Sequence, residues 1–582
     1  MLPPLLVREA LVLLRGTLSP DIDLQPELFS APPDPTLGDL AFGCFPVAKA
    51  SGKNPVLVAK DLVDDLTPRL ADGKGLIARV AASGPYLNFF VDPEKLVAAA
   101  LSAKTKPLPP LLPKGERRKM LIEYANPNTH KDVHVGHLRN FVLGAAVIRL
   151  ERTLGHEVIG VSYINDLGNN VAKCLWAVAR TPGWEKTPAP ERVRFLDKAY
   201  VEATAAAEAD AAVRAEISHI QKTLERFHAA GLADIAKKDR IWVKVWKTTH
   251  AWSKTAINAV IKELGWEIEK QWFESELIAE TVKIVAELEA KGIARVSEGA
   301  LIVDLADEKL GVNLLRKTDG TLLYNAKDIA LALRKEATFH PDESVYVIDA
   351  RQSLAMKQLF ATLRRMGHDL TLRHLAYEFV TLPEGAMSSR KGNVIYYADF
   401  RDDVVTRAKE EVVARHDDWS AAKASSAARA VAMGGIVFAL LKQDTDKQIV
   451  FDVDEAVSFD GYTGPYIQYT AARISSLARK AGTQKTSRSK GTAPVADAEL
   501  RLAFALLQFP AAVRAAADSW RPSVLCQELF ELSKTFAVFY EQAPILSAEP
   551  VVRARRLALA KKVGDTLAEG CGLLGIPLVE EM

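Results

Sequence analysis

The sequence predicts an α/β protein in which an insertion interrupts a parallel-sheet domain, with a small α+β segment before it and an all-helical segment after it. Three observations carry that prediction. Residues 119–124 (KMLIEY) read as a buried strand, 135–154 as a helix and 157–164 as a second strand. Strand, helix and strand within about 45 residues form a βαβ unit, the seed of a parallel sheet. Four prolines fall in the ten residues 104–113, which marks an extended connector because proline fixes φ and removes backbone donors. From Asp402 onward nearly every stretch has a helical period.

Each element follows in order. The first sixteen residues look apolar, but Arg8, Glu9 and Arg15 interrupt them at helical spacing, so they read as an amphipathic helix and not as a signal peptide. A short apolar strand is expected at 86–90, and this first domain spans residues 1–103. The connector runs over 104–118, and the sheet domain over 119–401. Further strands are expected at 300–305, 344–348 and 374–382, with a helix at 328–335 among them. Between 171 and 299 the pattern is mostly helical and charged, an insertion that splits the sheet. The helical domain takes 402–582, interrupted by a polar loop at 482–494.

Composition bounds the function. At about 150 residues per domain, 582 residues suggest three or four domains. Lys and Arg total 75 and Asp and Glu 73, so the formal charge is +2, which argues against a protein that holds nucleic acid by bulk charge. A local basic surface on a neutral whole stays open. Cys44, Cys174, Cys526 and Cys571 lie far apart with no paired spacing, so neither a disulfide framework nor a zinc ribbon is expected, and a reducing cytosol fits. The longest run of apolar or glycine residues, 430–441, has 12 residues, short of the ~18 that suggest a membrane span. A cytoplasmic multidomain protein with no membrane partner is the expectation.

The most informative stretch is 123–137, at the strand-to-helix turn of the βαβ unit. Ligands of parallel sheets collect at the carboxyl ends of strands, where a helix N-terminus offers free N–H groups. His134 and His137 are three apart and share one face of the first helical turn, and Gly136 lets a ligand approach the backbone. Residue frequencies alone give about 0.01 occurrences of His-x-Gly-His in a chain of this composition. A metal between the two histidines lacks a third ligand, so none is expected. Downstream, residues 384–393 (EGAMSSRKGN) combine glycines, hydroxyls and two adjacent cations, a chemistry suited to polyphosphate.

In this order and about 250 residues apart, the two signals resemble the signatures of class I aminoacyl-tRNA synthetases, and within the class the chain resembles the arginyl-tRNA synthetases. His134-Val-Gly-His137 looks like the first signature and Met387-Ser-Ser-Arg390 like the second. Residues 83–88, 163–168, 324–328 and 458–469 extend the resemblance over nearly the whole chain. The resemblance implies a Rossmann-like catalytic sheet, activation of arginine by ATP and transfer of arginine to tRNA(Arg). It places the arginine pocket on Glu123, Asn128, Tyr324, Asp328 and Gln352, and also on Glu274. His134, Gly136, His137, Met387 and Lys391 would contact ATP, which brings its own Mg2+, and Met387, Ser388, Ser389, Arg390 and Lys391 would close over the pyrophosphate. No tightly bound cofactor or zinc is implied, and a monomer is the default.

The sequence departs from the family pattern at the second signature, where Ser389 and Ala386 stand in place of lysines. Many arginyl enzymes that lack these lysines carry one just before the first signature, which matches Lys131, so Lys131 is expected to supply the charge, with Lys391 as the other candidate. The first domain resembles the family's tRNA-elbow domain, with Tyr86 and Asn88 at RNA-contacting positions and Ser83 shorter than the Asn expected there. The last domain resembles the anticodon-binding domain, with Tyr540 and Met582 at the matching positions. Arg473, Arg479, Lys480, Arg553, Arg555 and Arg556 are candidates for phosphate contacts. The alternatives are a non-catalytic tRNA-binding descendant or a class I synthetase of another amino-acid specificity.

Overall fold

β1 (Lys119–Glu123), β2 (Glu157–Ile164), β3 (Lys270–Phe273), β4 (Glu343–Asp349) and β5 (Leu372–Tyr377) form one sheet in the order β5-β4-β1-β2-β3, every pair parallel. The structure is a computed structural model that describes residues 2–381, 395–482 and 493–582. The central strand β1 buries Met120, Leu121 and Ile122 in succession, as a strand covered on both faces does. From its end the chain enters α1 (Val135–Leu154) and returns as β2 on one side, whereas β4 pairs on the other. The sheet therefore has its switch point between β1 and β4, where crossovers leave in opposite directions and open a crevice. Two glycines allow the close packing this needs: a Cβ on Gly144 of α1 would lie 2.4 Å from the Tyr124 side chain, and one on Gly160 of β2 would lie 2.4 Å from the Glu267 carbonyl oxygen.

Contact density divides the chain into two units. One takes Leu112–Val457 together with Trp520–Ser523. In it α2 (Glu274–Ala290) follows β3, α3 (Tyr324–Phe339) precedes β4 and α4 (Ser353–Arg365) follows β4, and the helices Asn169–Val178, Arg192–Ala209, Ala211–Ala230 and Arg240–Glu263 form the helical insertion. The insertion has its own core, in which Trp184, Leu196, Tyr200, Ile220 and Trp246 meet.

Three expectations change. The strand expected at 300–305 forms as Ala300–Asp304, but in a separate antiparallel sheet with Arg295–Ser297 and Val312–Arg316. The parallel sheet takes β3 as its edge instead, a four-residue strand inside the stretch read as a helical insertion and too short to show a period. The strand expected over 374–382 ends at Tyr377, and Val380–Thr381 pairs with Ile449–Val450. Finally, Tyr397–Arg415, Ala421–Leu441 and Val453–Val457 belong with the sheet, whereas the sequence reading gave all of 402–582 to one helical domain. The break in helical pattern that marks the change, at 458–463, lies well after Asp402. Ala421–Leu441 is long and apolar enough to cross a membrane by length and composition, yet 72% of its apolar window is buried inside this fold.

The Trp520–Ser523 turn is bound into the same unit. Arg521 Nε and Ser523 Oγ donate to Asp444 Oδ1 at 2.9 and 2.6 Å.

The other unit takes Met1–Leu111, Ser458–Ser519 and Val524–Met582. Its antiparallel sheet runs Phe29–Ser30, Leu40–Gly43, Tyr86–Val91, Ile77–Ser83 in spatial order. The helix Pro4–Arg15 is amphipathic, with Leu6, Val7, Ala10, Leu11 and Leu14 buried. Its Glu9 carboxylate accepts hydrogen bonds from the backbone N–H groups of Leu76 and Ile77 at 3.0 and 2.9 Å. Gly464–Ala481, Asp497–Asp518, Pro522–Gln542 and Pro550–Leu574 are its long helices, and Pro4–Arg15 and Pro93–Ser102 pack on Asp497–Asp518.

Candidate active site

The turn after β1 is shaped by buried polar side chains. Ala125 has φ +55 and His130 φ +60, conformations that L-residues adopt only where the surroundings hold them. Asn140, on α1, does much of the holding. Its Oδ1 accepts from Ala125 N–H at 2.7 Å and its Nδ2 donates to the Val347 carbonyl of β4 at 2.6 Å, so one amide joins the turn to the neighbouring strand. Asn126 Nδ2 donates to Glu123 Oε1 at 2.8 Å, and its Oδ1 accepts from Tyr163 N–H of β2 at 2.8 Å. His130 is buried among Thr129, Thr249 and Ser253 at 2.8–3.0 Å, which fastens the turn to the helical insertion.

His134 is the N-cap of α1, and His137 sits in its first turn. His137 Nδ1 accepts from His134 N–H at 3.2 Å, and the two rings stack with centroids 3.7 Å apart. Burial, followed by the charge of Lys131, lowers His134 to about 4. Burial, then His134 and Lys131, holds His137 well below the usual imidazole range. Both imidazoles are therefore neutral at pH 7 and can meet a ligand as hydrogen-bonding groups, not as cations.

These elements surround a cavity of about 590 Å³ at the carboxyl edge of β1, β2 and β4. Of the residues expected from sequence, Glu123, Asn128, His134, Gly136, His137, Tyr324, Asp328 and Gln352 all line it. Glu274 does not. It is 1% exposed and its Oε1 is paired with the Lys327 ammonium. Lys131 is also absent from the wall, with its ammonium 4.3 Å from the centre of the Tyr200 ring on the insertion. Met387, Ser388, Ser389, Arg390 and Lys391 lie outside the described residues. Asn126, Asn140, Tyr163, Tyr346, Asp349, Arg351, Tyr377 and Phe379 line the cavity without having been singled out in the sequence.

Charge in the cavity is arranged so that one acid stands apart. The Glu123 carboxylate is bound by the buried Lys335 ammonium and by Asn126. Asp349 accepts from Arg351 N, Nε and Nη2 at 2.9, 2.8 and 2.7 Å. The basic neighbours of Asp328 on α3 are taken elsewhere: Lys327 pairs with Glu274 and Arg334 with Glu280. Among the described residues, no side chain forms a hydrogen bond or ion pair with the Asp328 carboxylate. Burial, followed by the negative charge of Glu123, raises it to about 7. An unpartnered acid at the wall of a cavity is chemically suited to a cationic group that arrives from outside.

The positions expected to meet RNA fare unequally. Tyr86 is 43% exposed and meets Phe45 edge-on at 5.9 Å. Asn88 is only 3% exposed, beneath the Gly38 turn, so it presents no free amide to a base edge. Tyr540 is 38% exposed, and the Arg473 guanidinium lies 5.3 Å from its ring centre and 4.8 Å from that of Tyr469. Met582 ends a tail tied down by Gln468 Nε2 to the Pro577 carbonyl at 2.6 Å and Arg479 Nη1 to the Glu580 carbonyl at 3.2 Å. Arg555 and Arg556, expected at phosphates, are mostly buried against Glu499 at 3.0 and 3.3 Å.

Three family models match in succession: the arginyl-tRNA synthetase N-terminal domain over residues 6–91, the catalytic domain of class I (R) tRNA synthetases over 97–453, and the DALR anticodon-binding domain over 467–582. An arginine–tRNA ligase of Bdellovibrio bacteriovorus is 37% identical over 561 residues, covering 95% of this chain and 93% of the relative. One of Treponema pallidum is 32% identical over 579 residues, covering 95% and 94%. Among solved structures, the Thermus thermophilus arginyl-tRNA synthetase superposes with a TM-score of 0.77 at 28% identity over the full length of both chains. The Plasmodium falciparum enzyme, 17% identical over 99% of this chain and 98% of its own, shares the fold with a TM-score of 0.73. The matched domains, their order and their full coverage show that the chain belongs to the arginyl-tRNA synthetase family of class I ligases.

Proposed function

We propose that the cavity between β1, β2 and β4 is where this chain activates arginine with ATP before passing it to the 3′ end of tRNA(Arg). The observation that carries this reading is Asp328, an acid without a protein partner among the described residues, on the wall of a cavity also lined by His134, Gly136 and His137. A guanidinium offers planar, paired N–H donors that match one carboxylate, and neutral amino acids cannot replace that charge. Tyr324, four residues before Asp328, shares its helix face and frames the same group. Glu123, Asn128 and Gln352 are assigned to the rest of the amino acid.

The reaction is attack of the arginine carboxylate on the α-phosphorus of ATP with departure of pyrophosphate. Such a reaction needs alignment and charge stabilisation more than acid–base work. The neutral imidazoles of His134 and His137 fit that role as hydrogen-bond donors at the helix N-terminus, beside backbone N–H groups. ATP enters as its magnesium complex, which is part of the substrate. Lys131 and the residues 387–391 are assigned to the departing pyrophosphate. If Lys131→Ala leaves exchange within about threefold of wild type, a barrier change under ~0.7 kcal/mol, Lys131 does not have that role. Tyr86 at the tRNA elbow and Tyr540, Arg473 and Met582 at the anticodon are the assigned RNA contacts, in a cytoplasmic monomer.

The direct test is ATP–pyrophosphate exchange by the purified protein with each amino acid in turn, with and without tRNA. Exchange with arginine alone, and only when tRNA is present, is the expected result. Exchange driven by another amino acid, or none with arginine, refutes the reading.

A further inference from the structure

Helix α3 brings a second chemistry to the cavity. Tyr324, Asp328, Leu331 and Lys335 follow one another at spacings of four, three and four, so they lie along one face. The first three line the cavity, and Lys335 lies one turn deeper, buried. Its ammonium pairs with the Glu123 carboxylate and stands 3.9 Å from the centre of the Tyr346 ring, where the ring face favours a cation. On the adjoining face of the helix Lys327 pairs with Glu274 in the same way. Three acids thus converge on this end of the cavity, and two lysines of one helix neutralise two of them.

We propose that Lys335 is a positioning residue for amino-acid selection: it occupies the seat at Glu123 that a side-chain cation of the substrate would otherwise take, while Glu123 still faces the α-amino group, and so leaves Asp328 as the single acid open to the side chain. The inference rests on Asp328 being the guanidinium partner. Its chemistry follows from the difference between the two natural cations. An alkylammonium is a compact point charge that a carboxylate can hold from any direction, as Glu123 holds Lys335. A guanidinium is a planar fork that one carboxylate can satisfy through two parallel hydrogen bonds. With the seat at Glu123 filled, the cavity has one negative charge left and favours the fork. Lys335 acts through Glu123 and touches no substrate.

The charged and titratable groups facing this cluster are Glu123 from β1, Tyr163 and Asp166 from β2 and the turn after it, Tyr346 from β4, Glu225 from the insertion, Glu274 from α2, and Tyr324, Lys327 and Asp328 from α3 itself. Within this set, removing Lys335 leaves Glu123 uncompensated beside Asp328, which makes Asp328 harder to ionise. Removing the charge of Glu123 does the reverse. A role in packing alone predicts no such opposition.

The test measures arginine binding by equilibrium dialysis from about pH 5.5 to 8.5, and aminoacylation of tRNA with arginine, lysine and ornithine, for the full-length wild type and variants. In the wild type, affinity for arginine weakens as pH falls through about 7, because Asp328 takes up a proton. In K335M the midpoint moves to higher pH and the preference for arginine over lysine falls at least about tenfold. In E123Q the midpoint moves to lower pH. K335R, which keeps the charge, stays near the wild type. The K335M/E123Q double variant removes both charges together, so it folds even if K335M does not, and it returns both midpoint and selectivity toward the wild type. Midpoints of K335M and E123Q that move in the same direction, or a double variant no closer to the wild type than either single one, overturn the inference. D328N separates it from the reading beneath it: unchanged arginine affinity in D328N refutes the pocket assignment, whereas lost affinity in D328N without opposed shifts refutes only the role of Lys335.

Discussion

Replacing Asn140 by Leu removes one buried amide and orphans two backbone groups at once. Ala125 N–H and the Val347 carbonyl are bonded to this side chain at 2.7 and 2.6 Å, and both residues are fully buried. Each orphaned group costs about 1–3 kcal/mol, so the substitution should weaken this region by roughly 2–6 kcal/mol. Unfolding of a chain with two units is not a single two-state event, so the loss is best read locally, by hydrogen exchange of peptides from the β1–α1–β2 region. The turn that Asn140 holds carries Asn126 and Asn128 to the cavity, and displacing it by about 1 Å should lower kcat/KM for arginine by up to about a hundredfold. Asn140→Asp refines the argument. Its carboxylate still accepts from Ala125 but cannot donate to Val347 until it is protonated, so its local defect should shrink as pH is lowered. If Asn140→Leu changes local protection by less than about 0.5 kcal/mol and leaves kcat/KM unaltered, the amide is not what holds the turn.

Three further outcomes follow from the geometry. Gly144→Ala drives a methyl group into Tyr124, where the clearance is 2.4 Å, so it should destabilise the sheet unit by about 1–3 kcal/mol or more and lower its melting temperature in calorimetry. His134 has a lowered pKa of about 4, so between about 4 and 6.5 the unfolded chain holds a proton that the folded chain refuses. Stability from this group should be full above about 6.5 and lost as pH falls toward 4, and an NMR titration of the His134 ring should show no transition near 6.5. Glu274→Gln strips the partner from buried Lys327 and should cost about 3–5 kcal/mol of stability in denaturant titration. It should raise KM for arginine far less than D328N does, and equal effects would return Glu274 to the pocket wall.

Much of the site was legible in the sequence because its residues are local. The turn between β1 and α1 places Glu123, Asn128, His134, Gly136 and His137 within fifteen residues, and strand-to-helix geometry alone brings them together. Tyr324 and Asp328 were legible for the same reason, by helical spacing. What escaped depends on partners far along the chain. Lys335 meets Glu123 across 212 residues, and Asn140 meets Val347 across 207. No spacing rule records such pairs. A lysine within a charged helix reads as solvated, and an Asn within an apolar helix reads as a flaw. Glu274 stands off the cavity wall, held by Lys327, and an acid in a suggestive segment does not show which cation holds it. The strand β3 escaped because four residues are too few to carry a period, and the side sheet took the strand that a longer pattern suggested.

The unit built from both ends of the chain has a consequence for biosynthesis. Helices Pro4–Arg15 and Pro93–Ser102 emerge early, yet the helix they pack against, Asp497–Asp518, follows roughly 500 and 400 residues later. At about 5–20 residues per second, their apolar faces wait some 20 to 100 s for a partner. Buried residues such as Leu11, Leu96 and Val97 are then exposed on a tethered, unfinished surface while the sheet unit is still being made. A chain released early would expose that surface permanently, so chaperone demand should fall on the first hundred residues although they are the first to be synthesised.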